Sequence, residues 1–144
     1  MASEVGTLSR RIFDEVWNKR NLDIADELIA DEFVVHDPRG TTQKGPQGYK
    51  EFVREYTTAF PDLQFTIEDM VADESTVATR WTVTGTHRAP LYGIPATGRH
   101  VTMSGAVYSK FKDGKFVVSW SFWDSLSLMK QLGVVPSKEP GQAA

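Results

Sequence analysis

Pro61 separates two stretches of this chain with different periods. Before it, apolar residues return every three or four positions: Val5, Leu8, Ile12 and Val16, then Tyr49, Phe52, Val53, Tyr56 and Phe60. After it they alternate with polar ones, as from Thr76 to His87. The first spacing lays a stripe along a helix and the second lays a face along a strand. Helices first and strands afterwards specify an α+β chain, with three N-terminal helices on one face of a curved antiparallel sheet. The space between such layers is an apolar hollow, a usual place for a small molecule.

The elements follow from this pattern. Ser3 to Lys19 reads as an amphipathic helix, its stripe widened by Phe13 and Trp17. Asn21 can cap a short second helix that carries Leu22, Ile24, Ala25, Leu28 and Ile29. Phe33 to Val35 makes a brief strand that stops at His36-Asp37-Pro38, because proline cannot donate to a ladder. Arg39 to Lys44 reads as a loop, and Gly45-Pro46 opens the third helix. Strands are expected over Leu63–Ala72, Thr76–His87 and Val101–Lys112. The loop Arg88–Arg99 between the last two is long enough to be a rim or lid. Asp113-Gly114 turns the chain into a final strand from Phe116, and a short C-terminal helix ends at Gly133. A single domain is expected over residues 1–136, with Ser137–Ala144 as a frayed tail.

Charge and composition remove several functions. Sixteen Lys and Arg face nineteen Asp and Glu, and no basic run exceeds Arg10-Arg11, which argues against nucleic acid or an anionic membrane as partner. Without cysteine there is no disulfide or thiolate chemistry, and a cytoplasmic location is the expectation. The three histidines form no pair at metal-binding spacing, and there is no phosphate loop or nucleophile elbow, so neither metal nor cofactor is expected.

Strand alternation from Phe116 puts Val118, Trp120, Phe122 and Asp124 on one face, leading apolar side chains to a single carboxylate. Asp124 also directly precedes a helix, where Asp is among the best caps, and both readings stand at this stage. His36 suits a proton shuttle or a loop anchor, and His87 a ligand contact or a loop anchor; His100 is a surface residue. Arg80 shares a strand face with Thr82, Thr84 and Thr86, which is either solvent or a wet pocket wall. Tyr108 and Ser104 join the face of Asp124 only if the hairpin has a three-residue turn; a two-residue turn brings Met103 and Gly105. The aromatic stripe of the third helix is core first, with Phe52 and Tyr56 as its candidates for substrate contact. A dimer is expected through exposed aromatics on the outer sheet face.

FVVHDP, the GPQGY helix start, AFPDL, THRAPLYGIPATGRHV, DGK, and Trp120-xxx-Asp124 followed by QLG occur here in that order. Over His36 to Gly133 the chain thereby resembles the SnoaL-like polyketide cyclase family, typified by nogalonic acid methyl ester cyclase, in the nuclear-transport-factor-2-like superfamily. The resemblance implies a cone-shaped α+β fold and ring closure by intramolecular aldol condensation of a small hydrophobic carbonyl compound, without cofactor. It also implies a general acid/base at the end of the last strand, the position of Asp124. Around it, His36, Arg80 and Tyr108 are the expected polar partners, and Trp120 and Phe122 the walls. The alternative is a non-catalytic metabolite-binding or dimeric scaffold domain. Isomerases and epoxide hydrolases share the fold, but the Arg-x-Asp step of the latter is Arg80-Trp81-Thr82 here.

Overall fold

The computed structural model describes residues 2–40 and 42–135. The tail expected over Ser137–Ala144 lies outside them. Helix α1 (Ala2–Arg11) continues without a break into a wider, π-wound segment (Ile12–Asn18), where Lys19 N–H reaches back five residues to the Asp14 carbonyl at 3.0 Å. The wider winding keeps Ile12, Phe13, Val16 and Trp17 all buried on one side. Helix α2 (Ile24–Leu28) follows with no side-chain cap; Asn21 contributes only its carbonyl, to Ile24 N–H. Strand β1 (Ile29–His36), β2 (Thr42–Lys44) and helix α3 (Gly45–Ala59) come next. Strands β3 (Gln64–Ala72), β4 (Thr76–Thr86), β5 (His100–Lys112) and β6 (Lys115–Trp123) lead to helix α4 (Ser125–Leu132).

The architecture is the expected α+β one, a six-stranded sheet in the order β2-β1-β6-β5-β4-β3. One pairing departs from the antiparallel expectation: β1 runs parallel to β6. The short β2, read as loop, is an edge strand held by backbone pairing to β1, so it needs no apolar pattern.

Asp113 and Gly114 take φ of 53° and 82°, the two positive values of a two-residue hairpin turn, and Lys112 pairs with Lys115. The ladder then shifts: Phe111 faces Phe116, but Lys110 faces Val118, leaving Val117 as the extra residue of a bulge. This one residue corrects the expected faces of β6. Phe116 points into the core, and beyond the bulge Ser119, Ser121 and Trp123 point inward. Val118, Trp120 and Phe122 turn to the outer face. The bulge therefore pairs Tyr108 with Trp120, the register expected of a three-residue turn, although the turn itself has two residues.

Candidate functional site

Between helices and sheet lies a partly open cavity of about 100 Å³. One water needs roughly 10–15 Å³ of such space, while ordinary drug-sized sites run to about 300–1,000 Å³. The cavity is thus sized for a compact ligand. Ile12, Phe13 and Trp17 from the first helix and Phe52 and Tyr56 from α3 form one wall, and Phe33, Trp81, Val83, Met103 and Trp123 from the sheet form the other. The aromatic rings meet edge to face, as Trp17 does with Phe52 at 5.9 Å and Phe65 does with Trp81 at 5.0 Å.

Among the described residues, no charged side chain lines this space; its polar groups are neutral. Ser109 and Ser119 hydroxyls face each other across β5 and β6 at 2.6 Å. Trp17 indole N–H donates to the Tyr49 hydroxyl at 2.9 Å, and burial pushes that phenol's pKa up. The Tyr56 hydroxyl lies 2.6 Å from that of Tyr92 in the loop after β4. Burial is the first cause that raises the pKa of both phenols, so each stays protonated near neutrality. Behind them, the Arg39 guanidinium lies 4.7 Å from the Tyr92 ring centre and 5.9 Å from that of Tyr56. Two carboxylates hold it, Asp37 at 3.0 Å and Glu55 at 2.8 Å. Tyr92 itself occupies the first central position of a tight turn, at φ 53°, an uncommon conformation for a large side chain. One donor at the wall is unmet: the indole nitrogen of Trp123 is buried with no partner, a deficit worth about 1–3 kcal/mol.

The model of the SnoaL-like polyketide cyclases matches residues 7–132. The chain belongs to the SnoaL-like polyketide cyclase family. Its fold is close to that of a candidate SnoaL-like polyketide cyclase from Jannaschia sp. CCS1, with 21% identity, a TM-score of 0.86 and coverage of 94% of this chain and 95% of that one. A candidate polyketide cyclase from Acidithiobacillus ferrooxidans is similar at 32% identity, TM-score 0.80, with 93% and 97% covered. AclR, a candidate hydroxylase from Streptomyces galilaeus, is similar at 27% identity, TM-score 0.81, with 94% and 100% covered. No protein of curated function matches the chain by sequence.

In this SnoaL-like chain the residues singled out from sequence fall into two groups. Phe52 and Tyr56 reach the cavity. His36, Trp120 and Tyr108 line up across β1, β6 and β5 on the opposite face, with His36 stacked on Trp120 at 5.7 Å and Tyr108 5.8 Å from the same ring. Phe122 and Arg80 are exposed on that outer face too, so Trp120 and Phe122 are not cavity walls, and His36 and Arg80 do not reach the cavity. The physical reason is the Val117 bulge for β6 and simple alternation for the others. His87 is fully buried but is not among the lining residues. Its Nδ1 accepts the Thr97 N–H at 3.2 Å, which fixes the loop ahead of β5. Asp124 is exposed, and its carboxylate accepts Ser127 N–H at 2.9 Å, the geometry of an N-cap on α4. Trp123, Ser119 and Ser121 were missed, since nothing in the residues around Val117 announces a bulge. For Tyr92 a signal did exist, its place before Gly93 in a turn.

Proposed function

We propose that this chain closes a ring in a compact, apolar carbonyl compound by intramolecular aldol condensation. The observation behind this reading is a partly open hollow walled by rings and aliphatic chains and interrupted only by neutral hydroxyl and indole groups. Such a space favours a folded substrate over an extended one. Holding the two reacting carbons together can supply up to about 7–11 kcal/mol of the barrier. In the reaction, a carbon beside a carbonyl loses a proton and the enolate attacks the second carbonyl. The new alkoxide then takes up a proton, and loss of that hydroxyl with a hydrogen beside the carbonyl as water gives the enone, with no net oxidation or reduction. For the base we propose Asp124. Trp123 and Leu128, on either side of it in sequence, both line the cavity, so a substrate extending past them would cover the carboxylate and take it out of water. A positioned acid/base contributes about 10²–10⁴-fold.

The test uses a simple linear diketone whose aldol closure gives a cyclohexenone, followed by enone absorbance. Acceleration over buffer is expected, and it should vanish when Ser119→Phe fills the cavity. A second reading, a metabolite-binding domain without catalysis, is favoured by the lack of any charged group among the lining residues. Saturable binding of the diketone without closure would decide for it.

We further propose that the outer sheet face pairs with a second copy of the chain. Phe122 is 60% exposed and Tyr108 41%, and with Trp120 and His36 they form one continuous aromatic patch across the middle of the sheet.

A further inference from the structure

We propose that the serines on the cavity face of β5 and β6 seat a carbonyl oxygen of the ligand, Ser121 with its own hydroxyl and the Ser109–Ser119 pair with its spare proton. The seat rests on the reading of the cavity as a carbonyl-compound site, and it places the oxygen on the sheet wall.

The rest of the sheet wall is built by large apolar residues such as Phe33, Val35, Trp81, Val83, Met103 and Val107. Strands favour β-branched and aromatic side chains at such positions, so three serines side by side forgo packing. On an inner sheet face a residue meets the space above it through its side chain, and a serine side chain is little more than its hydroxyl. The Ser109 and Ser119 hydroxyls, 2.6 Å apart, satisfy each other only in part. Together they carry two protons and their mutual bond uses one, so when Ser109 donates, the Ser119 proton is left over. Ser121 pairs across the ladder with Val107, another lining residue, which fixes it on the same inner face. It is half-buried, and its hydroxyl has no hydrogen-bond partner among the described residues. The Thr79 hydroxyl and the Trp123 indole nitrogen also lack partners, but they are sealed within the wall, out of a ligand's reach. Ser121 is not sealed. Ser119 and Ser121 stand two residues apart on one face, roughly 7 Å along the strand, so an oxygen between their hydroxyls is within hydrogen-bonding reach of both. Such donors strengthen as the oxygen they hold takes on negative charge, which is what an enolate or an alkoxide requires. Ser9 is a lining serine on the opposite wall, in α1, and serves as the comparison.

The experiment uses cyclohexanone, labelled with ¹³C at its carbonyl, and methylenecyclohexane, which has the same shape with a CH₂ group in place of the oxygen. Both compounds should bind. The carbonyl carbon of the bound ketone should resonate downfield of its position in a hydrocarbon solvent, as a hydrogen-bonded carbonyl does. Ser121→Ala and Ser119→Ala should each weaken the ketone about three- to tenfold, the range of one neutral hydrogen bond, and leave the hydrocarbon unchanged. Ser9→Ala should change neither. Because the carbonyl signal is read in the unaltered protein, a variant that fails to fold does not remove the test. A bound ketone that resonates as it does in hydrocarbon solvent overturns the serine seat and leaves the cavity reading standing. A loss of ketone affinity in Ser9→Ala and not in the β6 variants also overturns it, by moving the oxygen to the helix wall. If neither compound binds, the cavity reading fails and takes the seat with it.

Discussion

Asp124 caps α4 and is the proposed base, two roles that different substitutions can separate. Asparagine caps a helix about as well as aspartate but cannot act as a base. Asp124→Asn should therefore keep the denaturant midpoint while lowering the diketone closure rate by about 10²–10⁴-fold. Asp124→Ala should lose the rate and also about 0.5–2 kcal/mol of stability, measured by urea unfolding. An Asn variant as fast as the parent would leave Asp124 with capping alone. The phenols predict a different pH limb. In the folded chain burial raises the pKa of Tyr56 and Tyr92 above the ordinary phenol value of about 10. Above about pH 10 the unfolded chain gives up phenolic protons that the folded chain retains, so stability is complete below that pH and falls as pH rises beyond it. The urea midpoint should drop between pH 9 and 11, and the drop should shrink in a Tyr56→Phe, Tyr92→Phe double variant.

At the scale of elements, the space under the sheet depends on where two strands leave room for a large ring. Gly105 on β5 pairs with Trp81 on β4, and a Cβ at Gly105 would collide with the Trp81 indole and with the Phe122 carbonyl. The indole fills the place of the absent side chain and is thereby fixed as a cavity wall. Gly105→Ala should cost about 1–3 kcal/mol as overpacking, seen as a lower melting temperature. It should also weaken cyclohexanone binding, because Trp81 can move only by giving up its place in the wall. The β6 bulge acts at the same scale. It sets serines and Trp123 against the cavity and sends Trp120 and Phe122 outward, so one strand supplies both a cavity wall and an aromatic outer face.

For the whole molecule, the two faces of the sheet differ in what they present. The inner face with the helices makes the cavity, and the outer face carries an aromatic patch with Arg80 beside it. Light scattering on the proposed dimer should give twice the 16.1 kDa of the chain. Phe122→Glu, which puts charge into the patch without touching the cavity, should give a monomer that still binds cyclohexanone. A Phe122→Glu protein that stays dimeric would move the contact elsewhere. Among the described residues no helix is long and apolar enough to cross a membrane.

Local patterns were enough for most of the elements, the short edge strand β2 excepted. The 3.6-residue stripes of the first and third helices, the Asp113-Gly114 turn, the Gly133 stop and the long β4 and β5 alternations each depend on residues near one another in the chain. The change of period at Pro61 carried the α+β class for the same reason, and the motifs from His36 to Gly133 carried the family. What they could not supply was the register beyond Val117. A bulge adds one residue to one strand of a pair, here Val117 on β6 against β5, while β1 pairs along the other edge of β6. That extra residue decided that Trp123 rather than Trp120 meets the cavity. Tertiary packing likewise brought Arg39, Tyr56 and Tyr92 together from a loop, a helix and a second loop, a meeting that no spacing along the chain encodes.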